Sequence, residues 1–303
     1  MRVLVTGGAG FVGTNLIKTL IQQDYEVLSV DNYSTGKKEN EQKGCKYYYK
    51  DLSNSNWWVL WDDCLCEWSC DCQIEQVDLI YHLAALPRIV PSFEKPLDTF
   101  KSGPQATINL LEWARHHNTP VIYAGSSSVH GDTYANPYTF TKWQNEHLIK
   151  LYNDLFDVPT SICRFYNVYG EHQATEGAYC NVLGIFERQY KENKPLTITG
   201  DGEQRRDFTY VGDIVDGLLR CGETHLGVWN HGHVNGESFE LGNGKNYSIN
   251  ELADAFGEYE REYIPARPGE VRESLNLDKK ALYYLDWKPK GDIVEFIKTK
   301  IIR

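Results

Sequence analysis

The segment Gly7-Gly-Ala-Gly10-Phe-Val-Gly13 constrains the chain most, because of what flanks it. It comes after the apolar run Arg2-Val-Leu-Val-Thr6 and leads into Thr14-Asn-Leu-Ile-Lys-Thr-Leu-Ile21, whose apolar positions recur at helical spacing. Glu26-Val-Leu-Ser-Val-Asp31 then reads as a second strand. In a strand–turn–helix–strand unit of this kind, the first glycine permits the tight turn. The second lets backbone approach a pyrophosphate, and the third lets helix pack closely on strand. The helix N-terminus adds N–H donors and the positive end of its dipole. Asp31 ends the second strand, where a carboxylate accepts both hydroxyls of a ribose. Its charge repels a 2′-phosphate and no arginine comes directly after it, so the expected cofactor is NAD rather than NADP. Asp51 and Leu52 close the next strand (45–51) and either cover the adenine edge or serve as a strand-end cap.

Strand and helix patterns keep alternating: a strand at 77–85, a helix over 97–117, a strand ending at Ser126, a helix over 137–156, then another strand. Right-handed crossovers convert that alternation into an α/β fold with a Rossmann-type doubly wound parallel sheet. After Tyr169 the rhythm changes to glycine-rich turns and shorter elements. The expected division is an NAD-binding domain over 1–165 with a return segment near 207–235. A smaller α/β substrate-binding domain occupies mainly 166–303.

The chemistry is expected on Ser126, Tyr138 and Lys142. Tyr138 and Lys142 stand at i and i+4 on one helix face, and Ser126 lies at the carboxyl end of a strand, where such sheets place ligands. Bringing a tyrosine from its ordinary pKa of about 10 to near 7 needs roughly 4 kcal/mol. One ammonium about 5–6 Å away supplies about 3 kcal/mol at an effective dielectric of roughly 20. Lys142 alone is therefore marginal, and a hydrogen bond from Ser126 and an oxidised nicotinamide are expected to share the task.

The glycine motif, Asp31-Asn32, His82-Leu-Ala-Ala85, Ser126 with Tyr138 and Lys142, Arg164-Phe-Tyr-Asn-Val-Tyr-Gly170, the Gly200–Val211 stretch, Arg267-Pro-Gly-Glu270 and Leu285-Asp-Trp-Lys-Pro289 together resemble the extended short-chain dehydrogenase/reductase family. Its members are mainly nucleotide-sugar epimerases and dehydratases. The resemblance implies that Gly7, Gly10, Phe11, Val12, Gly13, Asp31, Asn32, Asp51, Leu52, Leu83, Ala84, Ala85, Tyr138 and Lys142 meet NAD. It also implies that Tyr138 takes the proton of a sugar C4 hydroxyl, that Ser126 holds this oxygen, and that Lys142 binds the nicotinamide ribose. Ser127 and Asn167 would contact the sugar-diphosphate region, Arg206 and Arg267 the diphosphate, and Glu270 the nucleoside ribose. Arg suits forked phosphate recognition, and Arg205 is expected to be solvated or ion-paired instead.

The fate of the keto sugar depends on the residues after Ser126. Family dehydratases usually carry an acidic pair there and decarboxylases a Glu, whereas this chain has Ser127 and Ser128. A serine cannot shuttle protons without an adjacent base, so C4 epimerisation of a nucleotide-diphosphate sugar, most simply a UDP-sugar, is the expected reaction. Dehydration or decarboxylation is the alternative, with His130, Glu171 or His172 as the substitute acid. A non-enzymatic NAD or sugar-nucleotide sensor is a third reading. Only 12 positions separate Ser126 from Tyr138, fewer than is usual. Gly103 stands where the family has Asn, and His130 where Tyr is usual.

The formal charge of −11 and the absence of a Lys/Arg block argue against nucleic acid. With no leader pattern and no long apolar run, a cytoplasmic protein without a membrane span is expected. Four of the 8 cysteines fall within Cys64–Cys72. Their spacing is not the paired C-x2-C of zinc sites, so reduced thiols and no metal are expected. By resemblance, the helices near 97–117 and 137–156 would pack two copies into a homodimer.

Overall fold

The computed structural model describes residues 1–58, 74–229, 232–266 and 271–302. The chain opens with β1 (Arg2–Thr6), α1 (Phe11–Gln22), β2 (Glu26–Asp31), β3 (Cys45–Tyr49) and β4 (Leu79–His82). It continues through α2 (Ile89–Glu94), α3 (Pro96–Phe100), α4 (Ala106–His117), β5 (Val121–Ser126), α5 (Pro137–Phe156) and β6 (Thr160–Phe165). Next come α6 (Val182–Lys191), β7 (Leu196–Thr199), β8 (Arg205–Asp207), α7 (Val211–His225) and β9 (Glu237–Leu241). Among the described residues, seven strands form one sheet in the order β3-β2-β1-β4-β5-β6-β9, every neighbouring pair parallel. The order reverses between β1 and β4. At that point the crossovers diverge to opposite faces and leave a crevice at the carboxyl ends of the strands.

Period-two alternation along β1 divides its side chains between the faces. Val3 and Val5 join a core with Leu16, Leu20, Ile214 and Leu218, under α1 and α7. Leu4 joins the opposite core with Leu28, Leu110, Trp113 and Ile149, under α4 and α5. The strand that returns to the sheet is β9, just beyond the expected 207–235 segment, while α7 within that segment covers one face. A third core gathers Tyr169, Leu183, Phe186, Leu196, Ile198 and Phe256.

The helix expected over 97–117 is interrupted by a single π turn at Lys101–Gln105 containing Pro104. Proline has no N–H to donate, so the ladder loosens there. Gly103, inside that turn, brings its backbone against α5: a Cβ at this position would lie 3.2 Å from Thr141 Cβ. No helix among the described residues is long and apolar enough to cross a membrane.

Candidate active site

A cavity of about 1100 Å³ opens at the carboxyl ends of the parallel strands. The expected site residues in the described parts of the chain all line it. Arg267 and Glu270 lie outside the described residues, as does the Cys64–Cys72 cluster. Among the described residues, no group of three or more His, Cys, Asp or Glu side chains could hold a metal ion.

At one end the glycine turn forms a backbone cradle. Gly7 has φ +72°, and a Cβ there would meet Ala84 Cα and N at 2.9 Å each. At Gly13 an added Cβ would lie 2.3 Å from the Gly7 carbonyl oxygen, so α1 packs on the turn with no room for a side chain. Asp31, 8% exposed, accepts from the Ala9 N–H at 2.9 Å and the Tyr33 N–H at 2.7 Å. Burial raises its pKa while these two bonds oppose the rise. A carboxylate has about four acceptor positions, and these two donors leave room for a ribose diol. Asn32 Nδ2 donates to Asp51 Oδ2 at 3.1 Å, and Ser53 N–H donates to Asp51 Oδ1 at 2.8 Å. Burial alone would raise the Asp51 pKa; these bonds and the Lys101 charge outweigh it and hold the group below its ordinary value. The cradle and its carboxylate fit a dinucleotide.

Beneath the cradle runs a buried polar relay. The Ala84 N–H donates to Thr6 Oγ1 at 3.2 Å, and Thr6 Oγ1 stands 2.8 Å from His82 Nδ1. His82 Nε2 is 3.0 Å from Thr107 Oγ1. His82 is fully buried, and burial lowers its pKa to about 3, with the Lys142 charge adding to the effect. The neutral ring is hydrogen-bonded on one side to the Thr6 hydroxyl and on the other to that of Thr107, so it ties β1, β4 and α4 together at the switch point.

The reactive groups stand at the end of β5 and the start of α5. Asn136 caps α5 by accepting from Thr139 N–H at 2.8 Å, Pro137 occupies the first turn, and the Tyr138 N–H donates to Ser92 Oγ at 3.2 Å. These bonds set the direction of the tyrosine. Its hydroxyl lies 3.4 Å from Ser126 Oγ, which in turn donates to Ser128 Oγ at 3.0 Å. Ser127 and Ser128 form a short 3-10 turn, with no carboxylate in it.

Lys142 is one turn further along α5, 7% exposed. Its Nζ donates to the Ala124 carbonyl at 2.7 Å and sits 4.9 Å from the Tyr123 ring centroid. Burial lowers its pKa to about 8, with Glu146 opposing. The cation acting on Tyr138 is a different one. Burial raises the Tyr138 pKa, while the Ser126 hydrogen bond and then the Arg88 charge lower it. Arg88 precedes α2, has φ +92° and donates through Nε to the Tyr179 carbonyl at 3.1 Å. A non-glycine residue held there costs on the order of 1–3 kcal/mol, and such strain gathers at functional sites. The one sequence signal for Arg88 was its place three residues after the His82–Ala85 motif, on a loop at the end of β4.

The far wall comes from later segments. Asn167 donates to the Asp207 carbonyl at 2.9 Å and to Ser274 Oγ at 3.3 Å, so its amide ties two segments of that wall together. Arg205 is engaged by Asn246 and by Glu251 at 2.9 Å. Arg206 instead lines the cavity and donates to the Arg205 carbonyl at 2.9 Å. Of the substitute acids, the Glu171 carboxylate accepts from Tyr210 OH at 2.8 Å, while His130 and His172 line the cavity. His130 Nε2 is 3.0 Å from Glu240 Oε1, and Glu240 also accepts from Arg164 and Tyr166. The Glu240 hydrogen bond raises the His130 pKa against the opposing effect of burial. Glu240 lies on β9, far along the chain, and carried no recognisable sequence signal.

Residues 3–235 match the NAD dependent epimerase/dehydratase family. A putative UDP-glucose 4-epimerase of Methanocaldococcus jannaschii is 33% identical, over 99% of this chain and 97% of its own length. UDP-glucuronic acid decarboxylase 2 of Arabidopsis thaliana is 30% identical over 96% of this chain and 65% of its own length. The solved structure of a Thermotoga maritima UDP-glucose 4-epimerase with UDP-glucose superposes with a TM-score of 0.87. It is 26% identical and covers 99% of this chain and 97% of its own.

Proposed function

Because the chain belongs to the NAD dependent epimerase/dehydratase family, with NAD as its cofactor, we propose that it is a nucleotide-sugar 4-epimerase whose leading substrate class is UDP-sugars. The observation that carries this reading is the hydroxyl pair of Tyr138 and Ser126 on the wall of the cavity, with only serines directly after it. NAD, when bound, supplies the acceptor and donor of a C4 hydride. Tyr138 takes the C4 hydroxyl proton as hydride leaves and returns it after the 4-keto sugar has turned its other face. Ser126 holds the reacting oxygen, and Lys142 binds the nicotinamide ribose. Gly7, Gly10, Phe11, Val12 and Gly13 cradle the pyrophosphate, and Asp31 takes the ribose diol. Asn32, Asp51 and Leu52 border the adenosine, and Leu83, Ala84 and Ala85 the nicotinamide side. Ser127, Asn167 and Arg206 face the sugar-diphosphate, with Arg267 and Glu270 assigned to the same ligand.

In this reading 1–165 is the cofactor domain and 166–303 mainly the sugar-nucleotide domain. The helices α3 to α5 pair two copies, and Leu97, Leu151 and Leu155 are exposed on them. Light scattering during size exclusion tests the dimer.

One observation favours a second reading, dehydration: His130 lines the cavity and its hydrogen bond to Glu240 raises its pKa. Incubating the NAD-loaded protein with UDP-, GDP-, CDP- and dTDP-sugars, read by NMR and mass spectrometry, separates the cases. An epimer keeps the substrate mass, a dehydratase product loses one water, and a decarboxylase product loses carbon dioxide. Binding without turnover selects a sensor.

A further inference from the structure

Arg88 is a cavity-wall cation to which the proposed reaction assigns no contact with the substrate. It sits among packed atoms yet keeps part of its surface open to the cavity. Its contact with the protein is Nε to the Tyr179 carbonyl, and among the described residues no carboxylate forms an ion pair with it. The half-buried arginine of β6 is neutralised, by contrast: Arg164 is bridged by Glu146 and Glu240 at 2.8 and 2.6 Å. An uncompensated guanidinium in a cavity wall is costly unless a ligand brings the anion.

The position of Arg88 says which anion. The residue directly precedes α2, and α2 accepts the Tyr138 N–H on Ser92, so Arg88 and the tyrosine are carried on elements packed together. Arg88 and Tyr138 line the same cavity, and the Arg88 charge lowers the Tyr138 pKa. Tyr138 meets the sugar at C4, whereas the diphosphate leaves the ring from C1, on the opposite side. The positions beside C4 are C3 and C5, and the anion a hexose carries there is a carboxylate in place of the C6 hydroxymethyl group. We propose that Arg88 is the carboxylate subsite of the sugar pocket and that the substrate is a nucleotide-linked uronic acid. This inference rests on the placement of C4 at Tyr138 in the epimerase reading. The forked guanidinium matches both carboxylate oxygens, which is how such a subsite separates a uronate from the neutral hexose.

The test uses NAD-loaded protein carrying Tyr138→Phe, which holds ligand without turnover, and calorimetric titration with UDP, UDP-glucose and UDP-glucuronate. The glucuronate is expected to bind at least about tenfold more tightly than the glucose. Adding Arg88→Met removes that preference, a loss of about ten- to a hundredfold for the uronate alone, while UDP affinity is unchanged and reports an intact fold. Arg88→Lys keeps the charge without the fork and retains part of the preference. Equal affinity for the two sugars before Arg88 is changed overturns the proposal, as does an equal loss for all three ligands in Arg88→Met, which would make Arg88 a phosphate contact. Failure of the epimerase reading is visible separately: protein with Tyr138 intact would then leave both sugars without a C4 epimer, whatever the binding preference.

Discussion

The Tyr138 hydroxyl lies 3.4 Å from Ser126 Oγ, 12 positions earlier in the chain. The distance is long for a hydrogen bond between hydroxyls, and it leaves a position where a substrate oxygen can take both partners. Tyr138→Phe is expected to lower kcat by about a thousandfold or more, and Ser126→Ala by about a hundredfold, with NAD retained in both. Turnover assays alongside the NAD content of the purified variants check this. Turnover surviving Tyr138→Phe within tenfold would remove the tyrosine from the proton transfer.

Gly10 and Gly13 should fail in different ways. A Cβ at Gly13 would clash with backbone at 2.3 and 2.7 Å, so Gly13→Ala must push α1 off the turn. A loss of about 2–3 kcal/mol in unfolding free energy is expected. At Gly10 the nearest atom to an added Cβ is 3.2 Å away, so Gly10→Ala should fold almost normally. It should instead weaken NAD by about tenfold or more, because the methyl occupies the line of approach to the pyrophosphate. Urea denaturation and NAD titration on the same preparations separate the two effects.

Asp31→Asn keeps the shape of the side chain but removes its charge and one acceptor, while the Ala9 and Tyr33 N–H groups still point at it. NAD affinity should fall by about ten- to a hundredfold, and the preference for NAD over NADP should narrow because the repulsion of a 2′-phosphate is gone. UDP binding should not change. Titration with NAD, NADP and UDP measures all three.

His82 links the fold to pH. Its folded pKa of about 3 lies below the ordinary 6.5, so between those values the unfolded chain binds more protons. Its contribution to stability is complete above pH 6.5 and is lost as pH falls toward 3, at a slope approaching about 1.4 kcal/mol per pH unit. Urea unfolding at a series of pH values should show this limb, and His82→Gln should flatten it by close to one proton. An unchanged slope in that variant would mean that His82 does not titrate on unfolding.

The cofactor half of the site was legible because it is written over short separations. Gly7, Gly10, Gly13 and Asp31 belong to one strand–turn–helix–strand unit, and local backbone rules alone bring them together. Tyr138 and Lys142 were legible for the same reason, as neighbours on a helix face. The expected partnership between them was not what the packing produced: Lys142 turns to the Ala124 carbonyl, and Arg88 supplies the charge that acts on Tyr138. Likewise the His130 substitution could be noticed in the chain, but its partner Glu240 could not.

The sequence by itself determined the parallel α/β architecture, the glycine turn with its carboxylate, and the hydroxyl, phenol and ammonium proposed for the chemical step, because each depends on periodicity or on spacing within a few turns. The tertiary structure alone decided which charges face those groups. The Arg88 charge acts on Tyr138, and Glu240 reaches His130, only because sheet order and helix packing bring distant segments to one cavity wall, and no spacing along the chain encodes that approach.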